Sequence, residues 1–174
     1  MKKTSLLALC LSIALMLTAC GGKQGSESEQ EQARVTVVAT TYPVYLLASA
    51  VAENVDGVVV ERLNTGAVSC LHDYTLTVSD MKLIEGADVI AMNGAGLEDF
   101  MDDALAASDA AVIDCAQGLE LLPAMGHEGH DHDTEYDPHI WMDPERAGQM
   151  VENIRAGLAQ ADPDHAETCA TQAL

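Results

Sequence analysis

Basic residues are scarce in this chain. Eight Lys+Arg stand against 28 Asp+Glu in 174 residues, a formal net charge of −20 at neutral pH. Two of the eight, Lys2 and Lys3, lie at the very start. A surface so poor in cations repels phosphate backbones and anionic lipid headgroups, and it draws cations. Nucleic acid is therefore excluded as a partner. Long apolar runs are missing too. None after the first 20 residues approaches the ~20 residues that a membrane-spanning helix needs. There is no C-x-x-C pair, no H-E-x-x-H and no G-x-S-x-G. Those gaps remove the paired redox thiol, the helix-borne zinc protease and the nucleophile elbow of a serine hydrolase. No internal repeat is present.

What is there begins with an export signal. Lys2 and Lys3 form a short basic region, and Leu6 to Leu17 is an apolar run broken only by Ser12. The run has the length of a signal peptide core, not of a membrane anchor. Leu17-Thr18-Ala19-Cys20, followed by Gly21-Gly22, matches a bacterial lipobox. The match implies cleavage before Cys20 and lipid on its sulfur and amine. Gly21 to Gln32 is rich in Gly, Ser, Glu and Gln and carries no apolar residue. Such a stretch buries too little surface to fold and behaves as a tether. Residues 1–19 thus read as signal and 20–33 as a lipidated flexible tether. The protein is expected outside the cytoplasmic membrane, held to it through Cys20. About 140 residues remain, enough for one domain with a real core.

The cysteines divide by position. Cys10 lies in the signal and Cys20 in the lipobox, leaving Cys70, Cys115 and Cys169. Three is an odd number for an oxidising compartment, and spacing does not say whether two of them bridge. Cys70 precedes His72 by two residues, which leaves it open as a ligand or as a buried or bridged thiol.

Hydrophobic pattern predicts alternating strands and helices. Val35 to Ala39, Val58 to Val60, Asp88 to Met92 and Ala111 to Ile113 read as strands, the first two as buried ones. Thr40-Thr41-Tyr42-Pro43 turns the first into a helix carrying Val44, Leu47, Ala48 and Val51, with Pro43 at its first position. Thr77 to Asp80 fits a capping box, with Met81 and Ile84 on the apolar side of a short helix. A further helix is expected over Leu97 to Ala107. Asp143 and Pro144 suit the N-cap and first residue of a longer helix with Ala147, Met150, Val151, Ile154 and Leu158 in one stripe. Asp162-Pro163 ends or kinks it. Asp164 to Leu174 is helix-prone. This alternation argues an α/β fold, a mostly parallel sheet with helices on both faces.

Chemistry concentrates between Gly126 and Pro144, GHEGHDHDTEYDPHIWMDP. Four of the six histidines, His127, His130, His132 and His139, fall within 13 positions. Neutral imidazole is the commonest protein ligand for borderline transition metals, so the tract reads as metal capture. His139 sits in the stiff segment Asp137-Pro138-His139-Ile140-Trp141-Met142-Asp143-Pro144 and reads as an ordered ligand. In open α/β sheets ligands bind beyond the carboxyl ends of the strands. His72 follows the second strand, His139 the fourth, and Asn93-Gly94-Ala95-Gly96 the third, all at one edge. The glycines let backbone pass close to a site.

Four segments carry a family resemblance. Thr41-Tyr42-Pro43 is similar to a first strand-to-helix turn. His72-Asp73-Tyr74-Thr75-Leu76-Thr77-Val78-Ser79-Asp80 resembles the ligand motif HDYEPTPSD, with Thr75, Leu76 and Val78 departing from it. Asn93-Gly94-Ala95-Gly96-Leu97-Glu98 resembles NGxGLE, and Asp137 to Pro144 matches DPHxWxDP. Together they make the chain look like the metal-binding lipoproteins of bacterial ABC importers for zinc and manganese, the cluster A-I solute-binding proteins.

The resemblance implies a two-lobed periplasmic-binding-type fold in which His72 and His139 are the metal ligands of the first lobe. It implies a permease and an ATPase as partners. Residues 34–143 would form that lobe, with a His-rich loop at about 124–137, and 144–174 would start the inter-lobe helix. No second-lobe ligand motif follows, so the sequence reads as the amino-terminal lobe with the second lobe absent. His165 has no motif around it and is expected at the surface. Zinc (Zn2+) is the expected cargo ahead of manganese (Mn2+), because nitrogen-rich surroundings favour it and the His-rich loop resembles that of the zinc members. His127, His130 and His132 are expected to collect zinc and pass it to His72 and His139. Asp73, Asp137 and Asp143 are expected to support or cap, not to ligate. Trp141 is expected to pack.

Two alternatives stand beside this reading. One is a surface metal buffer or adhesin without transport. The other is a secreted zinc hydrolase, which needs three protein ligands and an open position. His130-Asp131-His132-Asp133 is similar to the metallo-β-lactamase H-x-H-x-D-H pattern, but Glu135 occupies the place of its last histidine. No enzyme is therefore expected.

Overall fold

Val35–Ala39 forms β1, a run of β-branched and small residues buried on both sides. Strands covered on both faces carry near-continuous apolar runs. The structure, a computed structural model, describes residues 35–63, 65, 71, 74–124 and 135–171. The chain divides into Met1–Gln32 and Ala33–Leu174, and every described residue belongs to the second unit. The signal, Cys20 and the tether lie outside the described residues. No described helix is long and apolar enough to cross a membrane.

After β1 come α1 (Tyr42–Ala52), β2 (Val58–Arg62), α2 (Val78–Glu85), β3 (Val89–Met92), a 3-10 turn at Asp99–Met101 running into α3 (Asp102–Ala106), and β4 (Ala111–Asp114). A second 3-10 turn, Ile140–Met142, leads into α4 (Pro144–Ala161). A third, Pro163–His165, leads into α5 (Ala166–Thr171). All strand pairs are parallel, in the order β2-β1-β3-β4. Val37 pairs with Val60 on one side and Val89 on the other. The chain leaves β1 for β2 on one side, then crosses back through α2 to β3 on the other. The strand order therefore reverses between β1 and β3, and the crevice beyond their carboxyl ends is where such a sheet binds ligands.

Alternation along the strands makes two cores. Val37, Ala39, Val89, Ala91 and Ile113 face α1 and α4, meeting Val44, Ala48, Val51, Met150, Val151, Ile154 and Leu158. Val38 and Ile90 face the other way, toward Ile84 of α2 and Met101 and Ala104 near α3. Helices thus cover both faces, as expected. Gly157 lets α4 lie close on β4, since a Cβ there would come within 2.4 Å of Ile113 Cδ1.

Caps formed as the sequence suggested. Thr41 Oγ1 accepts from Val44 N–H, and α1 starts at Tyr42, one residue ahead of Pro43. Proline fits anywhere in that first turn, where the N–H has no partner to lose. Asp143 Oδ1 accepts from Glu145 and Arg146 N–H at 2.9 and 3.1 Å to begin α4, and Asp162-Pro163 ends it.

Three expectations differ. β2 is an edge strand with alternating exposure, and Val59 is 40% exposed, so it is not a buried strand. Met81 is 44% exposed, because the inward positions of α2 are taken by Asp80 and Ile84. The helix over Leu97 to Ala107 shrinks to a 3-10 turn and a five-residue α3. Glu98 turns its carboxylate back onto the preceding loop, as described below.

Candidate metal centre

At the mouth of the crevice the β1 and β3 ends are tied together by one carboxylate. Glu98 is 2% exposed. Its Oε1 accepts from the Thr40 hydroxyl at 2.6 Å and from Asn93 N–H at 2.7 Å; its Oε2 accepts from Gly94 N–H at 3.0 Å. Burial pushes its carboxyl above the usual range against the pull of these hydrogen bonds, and the nearby charge of Asp114 adds to the rise. The loop that Glu98 gathers is tight. Gly94, Ala95 and Gly96 all have φ between 57° and 80°. At Gly94 a Cβ would stand 2.0 Å from Asp114 Oδ1. Only glycine meets both demands there.

The loop in turn reaches the histidine segment. Asn93 is fully buried, and its Nδ2 donates to Gly94 O at 3.0 Å and to Pro138 O at 2.9 Å. Asn93 Oδ1 is buried and accepts no hydrogen bond from a described residue. Upstream, Asp137 N–H donates to Leu122 O and Ala124 N–H to Glu135 O, a small antiparallel clasp around Pro123 and Tyr136. Downstream, Ile140 is buried in the α1/α4 core, with Trp141 packed against it.

His139 itself is exposed, at 63% for its side chain. Its Nδ1 lies 2.7 Å from Asp137 Oδ1, and its backbone N–H donates to the same oxygen at 3.0 Å. A carboxylate only accepts, so the proton sits on Nδ1 and the Nε2 lone pair is left for a metal. The His139 backbone bond, then its ring bond, hold the Asp137 carboxyl below the usual carboxylate range. The Trp141 ring lies 5.3 Å from the imidazole.

The neighbours of His72 in sequence, Leu71 and Tyr74, make local contacts. Tyr74 N–H donates to Leu71 O at 2.9 Å, and the Tyr74 hydroxyl donates to Asp80 Oδ2 at 2.6 Å. Asp80 Oδ2 also accepts from Thr77 N–H and Oγ1, the capping box of α2. The Tyr74 ring meets Phe100 edge-on at 5.4 Å.

Of the expected site residues, His139 is placed at the crevice with Asp137. His72, Asp73, Cys70 and the loop histidines His127, His130 and His132 lie outside the described residues. Among the described residues no three His, Cys, Asp or Glu side chains gather closely enough to hold a metal ion. His165, expected at the surface, is half-buried with its Nδ1 3.0 Å from Asp162 Oδ2. Cys115 and Cys169 are free, buried thiols. Sequence reasoning missed Asn93, Glu98 and Thr40 as organisers. The Asn93–Glu98 segment stood out through its resemblance to NGxGLE but gave no sign of these contacts, and Thr40 was marked only by its place at the end of β1.

Known proteins resemble the chain along most of its length. The family described as zinc-uptake complex component A, periplasmic, matches residues 37–174. The zinc-binding lipoprotein AdcA of Streptococcus pneumoniae is 33% identical over 97% of this chain and 34% of its own length. The manganese-binding lipoprotein MntA of Halalkalibacterium halodurans is 29% identical over 96% of this chain and 53% of its own length. The chain therefore spans about a third to a half of these relatives. The crystal structure of Zn(II)-bound AdcA from Streptococcus pneumoniae superposes with a TM-score of 0.67 at 28% identity, covering 79% of this chain and 28% of that one.

Proposed function

The chain belongs to the zinc-uptake complex component A family, and we propose that it is the first metal-binding lobe of an extracytoplasmic zinc receptor that serves an ABC importer. The observation that carries this is the His139–Asp137 pair at the mouth of the β1/β3 crevice. An exposed imidazole whose Nδ1 is held by a carboxylate has the preparation of a zinc ligand. His72, flanked by the Tyr74–Asp80 anchor, is the second ligand in this reading. Residues 34–143 form the lobe and residues 144–174 begin the helix toward a second one. Cys20 carries the lipid that keeps the protein at the membrane, beside the permease and ATPase. Zinc is the cargo, with manganese the lesser one.

Zinc calorimetry beside His72→Ala and His139→Ala tests the reading. One-to-one binding that both substitutions weaken at least tenfold, the lower end for loss of a ligand's support, is expected. Weak multi-site binding that survives both would confine the chemistry to the His-rich loop and reject the crevice. His127, His130 and His132 act in this reading as a low-affinity collector. Removing residues 126–133 is expected to slow uptake at low external zinc, while leaving crevice affinity within about twofold. Unchanged uptake would reject the collector.

A further inference from the structure

The peptide between Pro138 and His139 is gripped at both ends. Its carbonyl oxygen accepts from Asn93 Nδ2 at 2.9 Å, and its N–H donates to Asp137 Oδ1 at 3.0 Å. A peptide unit is planar, so a hydrogen bond on each side fixes the tilt of the whole plane and with it the His139 Cα. The imidazole is then fixed by the same Asp137 oxygen through Nδ1. Pro138 contributes a locked φ and no competing N–H. Every link from the sheet edge to the imidazole is thus a single, directional contact.

We infer that Asn93 is a positioning residue for His139, its side-chain amide setting the Pro138–His139 peptide and through it the direction of the imidazole. The inference rests on the reading of His139 as a metal ligand.

Asn93 is itself immobilised from behind. Its N–H and that of Gly94 are held by Glu98, which is held by Thr40 across the β1 end. Among the described residues none donates to the buried amide oxygen of Asn93, and a buried acceptor left so lowers stability. An apolar residue would avoid that cost. The polar side chain is accounted for by what its nitrogen does, spanning 45 residues of sequence to Pro138. The segment has other anchors, Ile140 in the core and Asp143 on α4. Loss of Asn93 therefore frees the peptide plane without releasing the segment.

The test is zinc titration followed through the His139 imidazole NMR signals, with Tm measured in parallel. The variants are Asn93→Ala, Asn93→Asp, His139→Ala and Ile84→Ala. Asn93→Asp keeps the volume but faces the Pro138 carbonyl with an oxygen, so it carries the test should Asn93→Ala fold poorly. Both Asn93 variants are expected to weaken zinc binding about tenfold, at the lower end for groups that support a ligand. Both are also expected to shift the imidazole signals before zinc is added. Ile84→Ala, in the core on the opposite face, is expected to lower Tm with zinc affinity within about twofold. Wild-type affinity and signals in both Asn93 variants would overturn the inference and leave the ligand reading standing. An equal loss of affinity in Ile84→Ala at a matched fall in Tm would overturn it as well, making Asn93 merely structural. Crevice binding unchanged in His139→Ala, read by calorimetry, would remove the ligand reading and this inference with it.

Discussion

The face of the sheet under α1 and α4 is closed by helices of 11 and 18 residues, whereas the face under α2 and α3 has helices of only eight and five. The larger face buries Val37, Ala39, Met150, Ile154 and Leu158 in one cluster, and Ile140 and Trp141 of the histidine segment join it. The smaller face rests on Val38, Leu63, Ile84, Ile90, Met101 and Ala104. Each face holds one flank of the candidate centre by different means. The His139 segment is carried by apolar packing plus the Asn93 bond. The flank of His72 is carried by the Tyr74–Asp80–Thr77 hydrogen bonds, with the Tyr74 ring against Phe100. The teaching is that one flank should yield to cavities and the other to the loss of a single hydroxyl.

The largest break is a cavity under α4. Ile154→Ala removes a fully buried side chain and is expected to cost about 2–5 kcal/mol. Urea unfolding measures that loss. Amide exchange should show faster opening at Ile140 to Asp143 than at Thr77 to Asp80. Equal acceleration on both sides would mean that the two faces open as one unit and the contrast is lost.

A smaller break acts on the other flank. Tyr74→Phe keeps the ring on Phe100 and removes only the hydroxyl that donates to Asp80. Hydrogen bonds to charged acceptors contribute about 1.5–3 kcal/mol, and the low end is expected because Thr77 still donates twice to the same oxygen. The exchange pattern should invert, with Thr77 to Asp80 opening and Ile140 to Asp143 unchanged.

The contrast also explains what could be read in advance. Caps are local chemistry, so Thr41, Thr77, Asp143 and Pro144 declared their helices directly. The strand–helix alternation and its parallel sheet followed from β1, β3 and the stripe of Met150, Val151, Ile154 and Leu158. Sheet order is not local, so Val58 to Val60 looked like an interior strand and became an edge. Asp80 illegibly took an inward place on α2, because its partner Tyr74 closes it off from water. That left Met81 outside. Glu98 gave no sign that its carboxylate would serve three donors in the β1 and β3 loops, so the helix expected from Leu97 was too long. That His139 follows β4 at the edge of the sheet was legible from the strand pattern, while Asp137 as its support was expected only from the resemblance to DPHxWxDP. The Asn93–Pro138 contact was not, because it joins residues 45 apart through a side-chain nitrogen.

The smallest effect at neutral pH belongs to a thiol inside the larger face. Cys115 is fully buried, and burial, with the charges of Glu98 and Asp114 behind it, pushes its thiol from 9.0 up to about 12. The folded value lies above the unfolded one. Its contribution is therefore complete below about pH 9 and is lost as pH rises from there through about 12. Wild type should lose stability above pH 9 more steeply than Cys115→Ala, while below pH 8 the slopes should coincide. At pH 8 only about one thiol in 10^4 would be ionised, so alkylation of Cys115 should be slow until urea opens the fold. Cys169, also raised mainly by burial, should behave the same way. Rapid native-state alkylation of Cys115 would mean that the larger face opens locally beneath the Asn93 loop. The His139 flank would then open locally in spite of the longer helices that cover it.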